Sequence, residues 1–210
     1  MSKHFFRALS RDFYNRLKYG PMAPQYGERI DVPARECLEY LPSSLLYRTF
    51  STRLRQGSGL VVHRWPDEGV KPVIEHPKIR YCYRHWVDGE SWQQAGAYDY
   101  LMERISGSQS GRFDGCSNLS DVKQRYERLD RIFESISASG QLLAQGQLTP
   151  GNFREVGGVQ IHLGPGGQPV FSGAGAHRFA MARILDLVIP AQIGVVHQDA
   201  LSTLQQFRHG

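Results

Sequence analysis

In the stretch FSGAGAHRFAMARIL, Phe171–Leu185, two glycines stand just ahead of a His-Arg pair, and a helix-like run follows. Gly173 and Gly175 can adopt positive φ and let backbone approach a ligand closely. The first turn of the following helix leaves N–H groups without intrahelical partners, with partial positive charge behind them. Such a terminus suits an anion. Arg178 adds a planar fork of donors matched to phosphate oxygens. His177 adds another donor when protonated. Ala180 and Ala182 are small enough to seat the helix on a sheet. The spacing predicts a phosphate-binding loop over Ser172, Gly173, Ala174, Gly175, Ala176, His177 and Arg178. A plain strand-to-helix turn with an exposed His and Arg is the competing reading.

Other residues could do chemistry with this loop. His162, His177 and His197 could reach one cleft, and three imidazoles can hold a transition metal. No i, i+4 pair enforces that set, so no metal site is expected, and His162 is read as a ligand contact. In HRWPDEG, Arg64, Trp65, Asp67 and Glu68 could form a substrate lip, or simply a turn around a half-buried Trp. Cys37, Cys82 and Cys116 show neither C-x-x-C spacing nor an even count. Reduced thiols in a cytoplasmic protein follow.

The elements that must position these residues can be read from periodicity. Residues 1–19 predict an amphipathic helix in which Phe5, Phe6, Leu9, Phe13 and Leu17 recur at helical spacing. Docking on the domain surface is the first reading of that helix, and membrane-surface or partner binding the second. YGPMAPQYG then reads as a linker, which leaves residues 26–210 as one domain. Short strands are expected at Arg29–Val32 and Leu60–His63. IRYCYRHW alternates like a half-buried strand. Ser91 and Gln94 form a capping-box pattern before a helix. A second helix runs from a Ser120 cap to Gly140. Strands at Val159–Leu163 and PVF follow, then the glycine loop, a helix over about Arg178–Leu187, and a strand after Pro190.

The order of these elements resembles the ParB/sulfiredoxin-like superfamily over roughly residues 129–198. Two pieces carry the resemblance: Ser135-Ile136-Ser137-Ala138-Ser139-Gly140 at a helix end, and Gly175-Ala176-His177-Arg178-Phe179-Ala180 opening a later one. The resemblance implies an α/β fold with a mixed sheet, a family-like C-terminal core and an N-terminal extension. It also implies that the second piece binds nucleotide phosphates. Ala176 stands where sulfiredoxins carry their reactive Cys, which argues against thiol chemistry. The chain continues for about a dozen residues beyond its last strand, too few for the helix-turn-helix domain of a partition protein. The His-Arg pair is closer to the small-molecule kinases of the superfamily, although Ser172-Gly173-Ala174-Gly175 lacks their Asp.

The resemblance therefore implies ATP or another nucleoside triphosphate with Mg²⁺, and phosphoryl transfer to a small hydroxylated acceptor. His177 and Arg178 would then be catalytic, with Glu36 as general base and Asp114 as a further candidate. The alternatives are a non-catalytic nucleotide sensor, or a nucleic-acid-acting or nuclease protein. A net charge of +5 and a pI near 9.2 favour anionic partners without choosing among them. No apolar run approaches the ~20 residues of a membrane span.

Overall fold

The computed structural model describes residues 3–66 and 68–208, with Lys3 described in its backbone only. Asp67, one member of the expected substrate lip, lies outside the described residues. The chain forms a mixed α/β structure built on one open, mixed sheet. Its strands are β1 (Arg29–Pro33), β2 (Glu39–Tyr40), β3 (Val61–Val62), β4 (Lys71–Pro72), β5 (Val159–Leu163), β6 (Pro169–Phe171) and β7 (Val188–His197). The sheet order is β1-β7-β5-β6-β2-β4, and β3 pairs with the C-terminal end of β7. Strands β5 and β6 form an antiparallel hairpin, while β5 and β7 run parallel.

Helices α3 (Pro77–Trp86), α5 (Leu119–Ser139) and α7 (Ala176–Ile184) share the main core with one face of the sheet. Val159, Ile161, Leu163 and Phe171 meet Phe179 and Ala180 of α7 there. The rings of Phe171 and Phe179 stack with centroids 4.1 Å apart. Burying a side chain the size of Phe179 is worth about 1.5–3 kcal/mol. A smaller cluster covers the other face, where Val62, Val170 and Val195 pack on Leu41, Leu45 and Leu46 around α2 (Ser43–Phe50).

Several elements differ from their sequence-based expectation. IRYCYRHW lies in α3, not in a strand. Ile79 and Cys82 are buried and Trp86 is packed against the core, the i, i+3, i+7 set of a helix. Pro77 opens that helix at its first position, where a missing N–H costs nothing. Helix α4 (Ala97–Ser106) begins after the Ser91–Gln94 box, whose reciprocal hydrogen bonds of 3.0 and 3.2 Å bracket a turn instead. Asn118, not Ser120, caps α5 by accepting the Asp121 N–H, and Gly140 ends that helix at φ +63°.

Pro190 lies inside β7 rather than ahead of it, opposite Asp31 of β1. The flanking bonds, Ala34 N–H to Leu187 O and Ile193 N–H to Glu28 O, fix the alternation of the ladder. They turn the Pro190 nitrogen away from β1, and β5 begins to pair only at Ala191. No ladder bond is lost there.

Candidate functional site

The glycine loop is built as an extension of the β5–β6 hairpin. Ser172 N–H donates to Gln160 O at 3.1 Å, and Gln160 N–H donates to Ala174 O at 3.3 Å. Ser172 Oγ is buried and accepts the Ala174 N–H at 3.1 Å. Gly175 has φ +77°, and a Cβ there would stand 2.9 Å from Val159 Cα. A tight turn against β5 therefore demands glycine at that position. Ala174 and Ala176 are buried beside it. Helix α7 starts at once, its first intrahelical bond running from Phe179 N–H to Gly175 O.

His177 turns inward from this junction. Its Nε2 lies 2.9 Å from Tyr81 Oη, and Tyr126 Oη donates to Tyr81 Oη at 2.9 Å. The direction of that chain makes Nε2 an acceptor, as in a neutral imidazole. Burial pushes His177 well below the usual histidine range, and Lys78, Arg125 and His76 act in the same direction. So His177 supplies no positive charge at the loop. Lys78 and Arg125 are committed to Asp114: Lys78 pairs with its carboxylate, Arg125 approaches it to 3.6 Å, and Arg125 donates to Asp114 O at 2.9 Å.

Arg178 turns the other way, into a groove of about 600 Å³ beside the C-terminal half of α5. One guanidinium nitrogen, Nη2, donates to Leu143 O. The other terminal nitrogen, Nη1, is buried without a hydrogen-bond partner. Burial lowers the Arg178 pKa, while the nearby Glu155 carboxylate opposes that. Glu155 is itself buried and accepts the Gln145 N–H. Arg128, Arg131, Ser135 and Ser139 also line the groove, over an apolar surface of Leu129, Ile136, Leu142 and Met181. Thus the SISASG piece and the Arg178 box, far apart in sequence, border one groove.

The remaining predicted residues lie elsewhere. Glu36 is exposed in a 3-10 turn beside the far end of α7, where Arg183 holds the carbonyls of Ala34, Arg35 and Cys37. His162 is fully buried on the opposite face of the sheet from α7. There β7 carries a bulge, with Gly194 and Val195 together opposite His162. His162 Nδ1 accepts the freed Val195 N–H at 2.8 Å. His197 Nδ1 accepts the Asp199 N–H at 3.3 Å at the end of β7. The sheet thus separates His177 from His162. Among the described residues, no group of three or more His, Cys, Asp or Glu could hold a metal ion. Trp65 packs against Phe50 with ring centroids 5.9 Å apart.

Sequence reasoning missed Arg128 and Arg131, because scattered helical arginines read as a solvated face. Their spacing from Ser135, four and seven residues, was the available signal. The three cysteines are buried and free. No helix among the described residues is long and apolar enough to cross a membrane. Comparison of the chain with protein-family models, with curated proteins and with solved structures gives no match.

Proposed function

We propose that this chain binds a nucleotide or a related phosphorylated small molecule in the Arg178 groove. One observation carries the reading: Arg128, Arg131 and Arg178 surround a groove whose floor is apolar. Guanidinium groups suit phosphate oxygens, and an apolar floor suits a base or another flat ring. The resemblance to the ParB/sulfiredoxin-like superfamily supports the same choice, since both pieces that carry it border this groove. ATP or another nucleoside triphosphate is the ligand class it favours.

The donor set is that of a binding module. Transfer to a hydroxyl acceptor needs a base within hydrogen-bond reach. The residues lining the groove include no carboxylate, Glu155 near Arg178 is buried and held by the Gln145 N–H, Glu36 stands at the other end of α7, and Asp114 is held by Lys78 and Arg125. Mg²⁺ would enter on the triphosphate, as it needs few protein ligands. Unpaired buried thiols fit a reducing cytoplasm. Of the nucleotide-binding forms expected from the sequence, a sensing module therefore accounts for the groove better than a kinase. Thermal-shift screening against ATP, CTP and GTP with Mg²⁺ tests it, because a ligand that binds only the folded state raises Tm. Stabilisation lost in Arg178→Ala supports the groove. No shift with any nucleotide at millimolar concentration overturns it.

A further inference from the structure

Helix α1 (Lys3–Tyr19) is docked by its polar side and presents its apolar side outward. On the docked side, Asn15 is buried and donates to Pro24 O and Gly59 O at 2.6 and 2.7 Å. Asp12 accepts the Tyr26 N–H at 2.7 Å and pairs with Arg154 at 2.8 Å. Ala8 is buried beside them. Phe6, Leu9, Phe13 and Leu17 follow one another at intervals of three, four and four residues, so they share the opposite face. They are 59, 62, 71 and 77 % exposed. A surface helix normally does the reverse, turning its apolar stripe to the core.

The charge on this helix selects the occupant. Arg7, Arg16 and Lys18 flank the stripe, and the only carboxylate in α1, Asp12, is engaged on the docked side. A second copy of the chain would bring the same cations against one another. A bilayer rich in anionic lipid meets both demands, since acyl chains receive the Phe and Leu side chains and headgroups receive the cations. We propose that α1 lies in the plane of an anionic membrane surface, clamped between the lipid and the domain. The rigid docking of Asn15 and Asp12 would hold the domain against that surface, with the Arg178 groove free for its own ligand.

Flotation of the full chain with vesicles tests the inference. Vesicles of phosphatidylcholine with one-third phosphatidylserine should carry the protein, and pure phosphatidylcholine should not. Phe13→Glu with Leu17→Glu should reduce binding at least ~10-fold, with no change in Tm, because both side chains are exposed in the free protein. Arg16→Glu with Lys18→Glu should weaken binding, and added salt should weaken it in the wild-type chain. Failure to bind anionic vesicles, or equal binding by the Phe13/Leu17 variant, overturns the proposal. So does a concentration-dependent dimer that Phe13→Glu abolishes, which would show that the face serves a second copy. None of these outcomes depends on nucleotide binding.

Discussion

Tyr81 Oη and His177 Nε2 stand 2.9 Å apart in the buried seam between α3 and α7. The contact turns the histidine of the His-Arg pair into part of the core and leaves Arg178 alone to face the groove. Tyr81→Phe removes a hydroxyl that both His177 and Tyr126 use. It should cost about 1–3 kcal/mol of stability by urea unfolding, as buried polar groups lose partners. Nucleotide affinity should stay within about twofold of the wild type, because the lost energy is structural.

Acid should weaken the fold through buried His162 and His177 and half-buried His76. Burial holds His76 at about 4, His162 at about 3, and His177 well below the usual value of 6.5. Each folded-state pKa lies below the unfolded one, so unfolding takes up protons once the pH falls below about 6.5. The stability these neutral rings provide is full above that pH and is lost as pH falls towards the folded values. Glu155, whose burial raises its carboxyl pKa, acts in the opposite sense and only near the carboxylate range. Unfolding midpoints measured from neutral pH down to about pH 5 should fall steadily. A flat profile would contradict the neutral, buried state of these rings.

The bulge at His162 gives a paired test. A Cβ on Gly194 would overlap His162 Nδ1. Gly194→Ala should therefore destabilise by about 1–3 kcal/mol, the usual cost of overpacking. His162→Ala makes room but strands the Val195 N–H. The double variant should be more stable than the sum of the two single losses implies, by at least ~0.5 kcal/mol. Strict additivity would mean that ring and glycine do not share the space.

Glu36→Gln should leave nucleotide affinity unchanged in calorimetry, since Glu36 lies at the end of α7 remote from Arg178. A loss of more than ~10-fold, or about 1.4 kcal/mol, would place Glu36 at the ligand.

Three junctions toward the C-terminus were legible because each carries one strong signal, whereas Pro190 hid the start of β7. Gly140 stops α5, GPGGQ turns β5 into β6, and glycines precede α7. IRYCYRHW was ambiguous, since its aromatic alternation has period two while Ile79, Cys82 and Trp86 have helical period. Pro77 at the first helical position breaks the tie. The site was half legible. Arg178 and the SISASG segment were visible, but local spacing could not show that His177 and Arg178 diverge. That depends on Tyr81, almost a hundred residues earlier, reaching the buried ring. The amphipathicity of α1 was equally plain, yet only the contacts of Asn15 and Asp12 reveal which face is docked.

Arg178 is the residue on which the proposed nucleotide binding rests. Isothermal titration of ATP with Mg²⁺ into the wild-type chain and into Arg178→Ala measures that directly. The wild type should bind, and the variant should lose at least ~10-fold in affinity with its fold intact by circular dichroism. Unchanged affinity in Arg178→Ala, or no heat of binding from the wild type at millimolar nucleotide, would contradict the assignment of the groove.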